Sequence, residues 1–483
     1  MKTYHSATKL LLGLGFAILI VLFSGRSQAA EPQPEQPAPP QTEEEAVPEK
    51  KTPEKPPAIS PLYVPKESPA AAIEPSSLTF GPGPITGSLA PYGNSAAEDT
   101  LQRGWQSHQL GAVRVRPYLG YGAVYRSNLF QTYSNKQSDF CNLITPGIQF
   151  ELPVAGTHKI SLGYLANGYL YRRFSGNDHY DQNINADVSV NFSKLSVKVG
   201  NTYRHAAEEA SVTQNGPSIT LQPKRPYNQD TPYFNAAYKL ADRWRFETNY
   251  QFNYLAYSRT QDQINNYKYN TLGATIFYKF WPKTSALIQY VATIGTFPYD
   301  NNRNYLSQTP MLGITWDPTA KLSGTIKVGY TVTNYSNLNS GLGSFDPNGV
   351  ALTIQTLYRL SSYTQVSLVA QRSLQSDQNY GNNTYFNQGL MLTISHLWHY
   401  FNVTSYGSFS YYNNPYVFSS INPDTNQLEK RNDNIIYVNL GLSRPIIKWL
   451  QMRLDYFYYN RGSNFTPFAT NENKVMLSLQ SSF

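Results

Sequence analysis

Three short groups of residues in this 483-residue chain have the side-chain types for chemistry. His205, Glu208 and Glu209 put an imidazole and two carboxylates into one stretch, the donor set of an acid–base pair or a metal site. Asp178-His179 and Trp398-His399 supply two more imidazoles. Adjacent residues of an extended chain point to opposite sides, so Asp178 cannot pair with His179 without a turn. Nothing in the sequence brings a further ligand to His205, and Gly-x-Ser-x-Gly, a Walker loop and His-Glu-x-x-His do not occur. The single cysteine, Cys141, excludes an intramolecular disulfide and reads as a lone buried thiol. The expectation is a non-enzyme with no catalytic residue, no metal and no cofactor, its loop acids and histidines being solvated or anchoring groups.

A second set is basic. Lys159, Lys198, Lys239, Arg245, Lys279, Arg359 and Arg453 each lie a few residues from a short polar turn. Cations fixed in a ring on a low-dielectric wall focus a field that attracts anions or acidic polymers. Glu151, Glu247 and Asp455 fall among them, so the alternative is that the two signs pair and merely solvate the wall.

The elements that must carry these side chains are strands. Ile184, Ala186, Val188, Val190 and Phe192 alternate with Asn185, Asp187, Ser189 and Asn191. Likewise Trp244, Phe246, Tyr250 and Phe252 alternate with Arg245, Glu247, Asn249 and Gln251, and Leu450, Met452, Leu454 and Tyr456 with Gln451, Arg453 and Asp455. A period of two belongs to a strand with one oily face. Read throughout, the region from Val113 onward is all-β, with about eighteen strands (16 to 18) in a transmembrane antiparallel up-and-down barrel.

Connection lengths alternate in the same way. Short ones at Ser193-Lys194, Ser361-Ser362 and Trp398-His399 are interleaved with long polar loops such as Ala206 to Asn228 and Asn413 to Asp433. Short periplasmic turns opposite long outer loops are what a bacterial barrel requires, and an even strand count leaves both chain ends in the periplasm. Trp244, Trp281, Trp316, Trp398 and Trp449 fall in or beside the short turns and would form an inner aromatic girdle. Tyr125, Tyr171, Tyr203, Tyr254, Tyr257, Tyr335, Tyr411, Tyr412, Tyr458 and Tyr459 lie toward the long loops and would form the outer one. Moderate hydropathy (40% hydrophobic, mean −0.45) with 39 tyrosines suits a wall that is oily outside and polar inside.

Before the barrel, Lys2 and Lys9 precede an apolar run from Leu10 to Phe23 and a small-x-small site at Ser27-Gln28-Ala29, which predicts a signal peptide over residues 1–29. Residues 30–84 are rich in Pro and Glu and predict a disordered spacer. Residues 85–112 predict a short periplasmic segment or plug, with Ser95-Ala96-Ala97-Glu98 as a capping box. The barrel then spans 113–483.

Two stretches carry a family resemblance. The last strand, Asn473 to Phe483, has Val475, Leu477 and Leu479 on its apolar face and ends on Phe483; it resembles the C-terminal signature that the barrel assembly machinery reads in bacterial outer-membrane proteins. Pro117-Tyr118-Leu119-Gly120-Tyr121-Gly122-Ala123-Val124-Tyr125-Arg126-Ser127-Asn128-Leu129-Phe130 is similar to the first strand of a family of outer-membrane β-barrel porins associated with exopolysaccharide-export loci in Gram-negative bacteria. That family typically has an acidic residue before Ser-Asn, where this chain has Arg126. The resemblance implies an outer-membrane channel for hydrophilic solutes or an acidic exopolysaccharide, in contact with outer-membrane lipid and with polysaccharide-export components, and no nucleic acid. The alternative is a structural barrel with a plugged lumen that anchors a periplasmic or envelope partner.

Overall fold

Inside a bilayer every backbone N–H and C=O needs a protein partner, and a sheet supplies one at both edges only by closing on itself. The computed structural model describes residues 108–154, 157–215, 218–319, 321–336, 347–376 and 384–482, and in it the sheet closes. The strands are β1 (Val113–Arg126), β2 (Asp139–Val154), β3 (His158–Tyr171), β4 (His179–Asn191), β5 (Leu195–Glu208) and β6 (Arg225–Lys239). They continue with β7 (Trp244–Tyr257), β8 (Tyr267–Trp281), β9 (Thr284–Thr296), β10 (Tyr305–Thr319), β11 (Leu322–Tyr335) and β12 (Gly349–Arg359). The last six are β13 (Thr364–Ser376), β14 (Thr384–Trp398), β15 (Val403–Ile421), β16 (Leu428–Ile447), β17 (Leu450–Ser463) and β18 (Thr470–Ser482). Each pairs antiparallel with its sequence neighbours, and β1 pairs with β18 from Tyr118↔Ser482 to Arg126↔Lys474. The result is a closed antiparallel barrel of 18 strands.

The two faces follow the alternation. Ile184, Val188 and Phe192 are exposed on the outer surface, as are Leu119, Tyr121, Leu440 and Leu442, which is where lipid removes them from water. Met476, the one apolar residue out of phase in the last strand, turns inward against Val124, Cys141, Tyr169 and Tyr171. Large inward rings need room beside them. Tyr305 lies opposite Gly295 and Tyr406 opposite Gly441, and a Cβ on either glycine would collide with the ring. Glycine there lets the ring lie flat along the wall.

The long connections are stitched by side chains standing in for the missing next strand. Tyr171 N donates to Asp178 Oδ1 (2.7 Å), Tyr257 N to Asn266 Oδ1 (2.8 Å) and Phe297 N to Asn304 Oδ1 (2.7 Å). Each returns through a short 3-10 turn, so strand ends that would otherwise fray keep their donors satisfied.

Three sequence expectations need correction. Asn413 to Asp433 is not a loop: β15 and β16 run on to Ile421 and from Leu428, leaving only residues 422–427 as the tip. Beyond the membrane a strand needs no oily face, so the alternation fades while the pairing continues. The ten tyrosines near the long loops do not all face outward, because height along the strand does not fix the face. Tyr171, Tyr257, Tyr412 and Tyr459 are buried inside. Tyr335 also faces in, sharing a cross-strand row with Tyr305. The barrel region is also slightly longer than drawn, since His108–Leu110 folds back on Val113–Val115 through Gly111, at φ 63°. The signal peptide, the spacer and the capping box lie outside the described residues.

Candidate functional site

Register takes the acid–base candidate apart. Along β5 the inward set is Lys198, Gly200, Thr202, Arg204 and Glu208, so His205 points out, where its Nδ1 lies 2.8 Å from Asn228 Oδ1. Asp178 is spent on Tyr171 N, and His179 stacks on Tyr169 with ring centroids 4.5 Å apart. His399 packs against Tyr363 at the turn after β14. Among the described residues no three His, Cys, Asp or Glu side chains converge as metal ligands.

All seven basic residues share the inward register, and six of them fall into two groups. Arg245 Nε is 3.0 Å from Glu247 and Arg453 Nη2 3.3 Å from Asp455, so these two are neutralised in place. Tyr406, which bonds both Arg453 and Asp455, makes the second pair a triad. Glu151 is taken by Arg114 and Arg116, at 3.3 and 3.1 Å. Lys159, Lys198, Lys239 and Lys279 make no ion pair with a described residue. Lys159 and Lys198 flank the same residue, Ser189, and Lys239 sits opposite Arg245. Asp187 is the inward carboxylate on the strand between the first two. Lys198 extends over the Tyr233 ring, 5.8 Å to its centroid. Arg359 ends β12 at the turn side.

The opposite, long-loop end holds a group that sequence reasoning missed. Arg126 is 1% exposed. Its Nε donates to Glu472 (2.5 Å) and its Nη1 to Glu209, whose other oxygen accepts from Tyr171 Oη at 2.7 Å. Lys474, on the same face of β18, is buried beside them. Adjacent strands are about 4.8 Å apart, so β1 and β5 are roughly 20 Å apart along the wall. Glu209 meets Arg126 only because the β5–β6 connection bends inside the barrel. A second buried pair, Glu208 with Arg225, lies at its foot and accepts from Tyr257 Oη (2.7 Å). Burial alone would raise the Glu209 pKa, but Arg126 and Lys474 outweigh it and hold the carboxyl below its ordinary value. Past it, Ser211–Asn215 and Ser218–Gln222 form a small hairpin of their own. The signal was readable in part: closure of β1 on β18 sets Arg126 against Lys474, and two inward cations side by side demand acids.

Trp244, Trp281, Trp398 and Trp449 are exposed on the outer surface next to short turns, and Trp316 lies over Gly324 on that same surface. Val475, Leu477 and Leu479 are exposed on the outer face of β18; Phe483 lies outside the described residues.

A closed antiparallel barrel with an oily outer face, a polar lined interior and alternating short and long connections is an outer-membrane porin-type channel. The chain belongs to the family described as Putative beta-barrel porin 2, which matches residues 107–483. It is therefore a channel barrel and not an enzyme. Solved structures similar to it include OccAB3 of Acinetobacter baumannii, at 12% identity and TM-score 0.41 over 77% of this chain and 99% of that one. OpdK of Pseudomonas aeruginosa gives 11% and 0.42 over 76% and 99%, and OccK2 of the same organism 12% and 0.43 over 77% and 98%. No curated protein matches the sequence.

Proposed function

We propose that this chain passes hydrophilic solutes across the outer membrane with a preference for anions, acidic exopolysaccharide being one candidate cargo. The observation that carries the reading is the arc of Lys159, Lys198, Lys239 and Lys279. These residues lie on the inward face near the short turns, without carboxylate partners among the described residues. Cations so placed raise the local anion concentration, and salt screens them once the Debye length shrinks to roughly 3 Å near 1 M. Short turns are periplasmic in bacterial barrels, so the arc faces the periplasm, as does the segment before residue 108. The exposed tryptophans then sit at the periplasmic lipid interface, and the outward Val475, Leu477 and Leu479 serve in assembly.

The test is the reversal potential of the folded protein in planar bilayers under a KCl gradient. Wild type favours chloride; replacing the four lysines by Gln shifts the reversal potential toward potassium. An unchanged potential refutes the arc. The inward-bent β5–β6 connection favours a second reading, a barrel plugged at its outer end that serves as an anchor. Absence of conductance in folded protein would select it.

A further inference from the structure

The inner wall from β9 to β14 carries a recess unlike the rest of the lumen. It is an open hollow in the wall of about 80 Å³ rather than an enclosed cavity. Among the described residues its lining is dominated by hydroxyls and contains no carboxylate and no lysine. Its one charged residue among those described, Arg372, turns its side chain to the outer face, where the guanidinium bonds Val350 O and Gln388 Oε1 and stacks on Phe386 at 4.1 Å.

The register explains the arrangement. Thr271, Thr293, Ser307 and Thr333 stand opposite one another across four strands, and their hydroxyls pair at 3.1 Å, Thr271 with Thr293 and Thr333 with Ser307. Thr309 and Thr331 form a second pair, at 3.0 Å, on the turn side of this row. Two residues toward the long loops, Tyr269, Tyr305 and Tyr335 form a parallel row, their neighbouring rings 6.0 and 5.7 Å apart. Rows two residues apart on a strand are separated by roughly 7 Å. A hydroxyl paired to one neighbour keeps free lone pairs, so the belt remains able to bond a ligand.

We infer that this recess binds neutral polyhydroxylated ligands, that is, uncharged sugars. An aromatic ring offers its face to the C–H face of a pyranose, while a belt of hydroxyls one row away meets the sugar's own. Among the described lining residues an anion finds no available cation, and an ammonium finds no carboxylate. The lysine arc lies on β3 to β8, so the site goes beyond the ion preference proposed above and does not depend on it.

The probes are a neutral oligosaccharide, maltohexaose, and an acidic one of similar length, hexagalacturonate. Equilibrium dialysis against the folded, detergent-solubilised full chain reads binding without requiring conduction, so failure of the channel reading and failure of the site are distinguishable. Maltohexaose is expected to bind, and hexagalacturonate more weakly at high salt, where the lysine arc is screened. The double variant Thr309→Val, Thr331→Val removes both members of one hydroxyl pair while keeping shape, so neither is left unsatisfied. It should weaken maltohexaose at least about fivefold, the equivalent of one hydrogen bond lost. Tyr305→Ala should abolish binding; should it fail to fold, the valine variant decides. No binding by wild type, equal binding by the valine variant, or stronger binding of the acidic sugar at high salt overturns the inference.

Discussion

Replacing Glu209 by Gln tests whether charge holds the β5–β6 connection inside the barrel. Arg126, Lys474, Glu209 and Glu472 form a buried set of two cations and two anions. The variant keeps the bond-forming shape but leaves one positive charge in excess, with Arg126 only 1% exposed. Removing one partner of a buried pair costs about 3–5 kcal/mol. The barrel can escape that cost by letting the connection leave the wall, because the alternating sheet does not depend on it. A shift of about 3 kcal/mol moves a docked-to-released equilibrium more than roughly a hundredfold. Released, the connection no longer narrows the outer mouth, so single-channel conductance should rise and the 211–222 hairpin should become sensitive to protease on intact cells. Lys474→Met removes the excess charge and should restore much of the wild-type conductance when combined with Glu209→Gln. Unchanged conductance and protease resistance in folded Glu209→Gln, or no effect of the second substitution, would refute the charge-balance reasoning.

Two more predictions concern pH and topology. The Glu209 pKa is lowered by Arg126 and Lys474, so its contribution is complete above the ordinary carboxylate value and is lost as pH falls through the lower, folded one. With Arg126, Lys474, Glu472 and Tyr171 as its facing groups, conductance should stay flat around neutrality and rise only once the pH falls below the ordinary carboxylate range; a change near neutrality would assign the effect to another group. An epitope inserted in residues 422–427, the tip of the β15–β16 hairpin, should be labelled on intact cells, whereas one at Ser361-Ser362 should not, and the reverse pattern would invert the barrel.

The lipid-facing pattern was legible because it is local. Ile184 to Phe192 shows its period of two whatever surrounds it, and connection lengths need only the strands on either side. The features that stayed hidden depend on distant pairs. Arg126 meets Glu209 across 83 positions and Glu472 across 346, and neither spacing leaves a mark on neighbouring residues. The tyrosines show the same limit at short range. Tyr411-Tyr412 and Tyr458-Tyr459 are adjacent on strands, so one of each pair had to turn inward, which parity dictated and proximity to long loops concealed. The basic set was found from parity alone. Its division into paired arginines and unpaired lysines required cross-strand register, which brings Tyr406 opposite Gly441 and thus onto Arg453 and Asp455.

Charge is distributed unevenly along the barrel. At the long-loop end the charges are buried and balanced, Arg126 and Lys474 against Glu209 and Glu472, and Arg225 against Glu208. A balanced cluster adds little long-range field, so it shapes the opening without selecting by sign. At the short-turn end four lysines have no ion-pair partner among the described residues, and their field is felt over roughly a Debye length of 8 Å at physiological salt. Between them lies the recess of the β9–β14 wall, whose described lining is mostly hydroxyl. On the proposed function, a solute entering from the long-loop end would be sorted first by size, then by its hydroxyls, and by charge last. Arg126 stands where the resembling family typically has an acid, and an acid there would face Glu472 and Glu209 with only Lys474 to offset three negative charges. The arginine thus requires the two glutamates as much as they require it, which makes Glu209, rather than the lysines, the position where a single neutralisation should change the pore most.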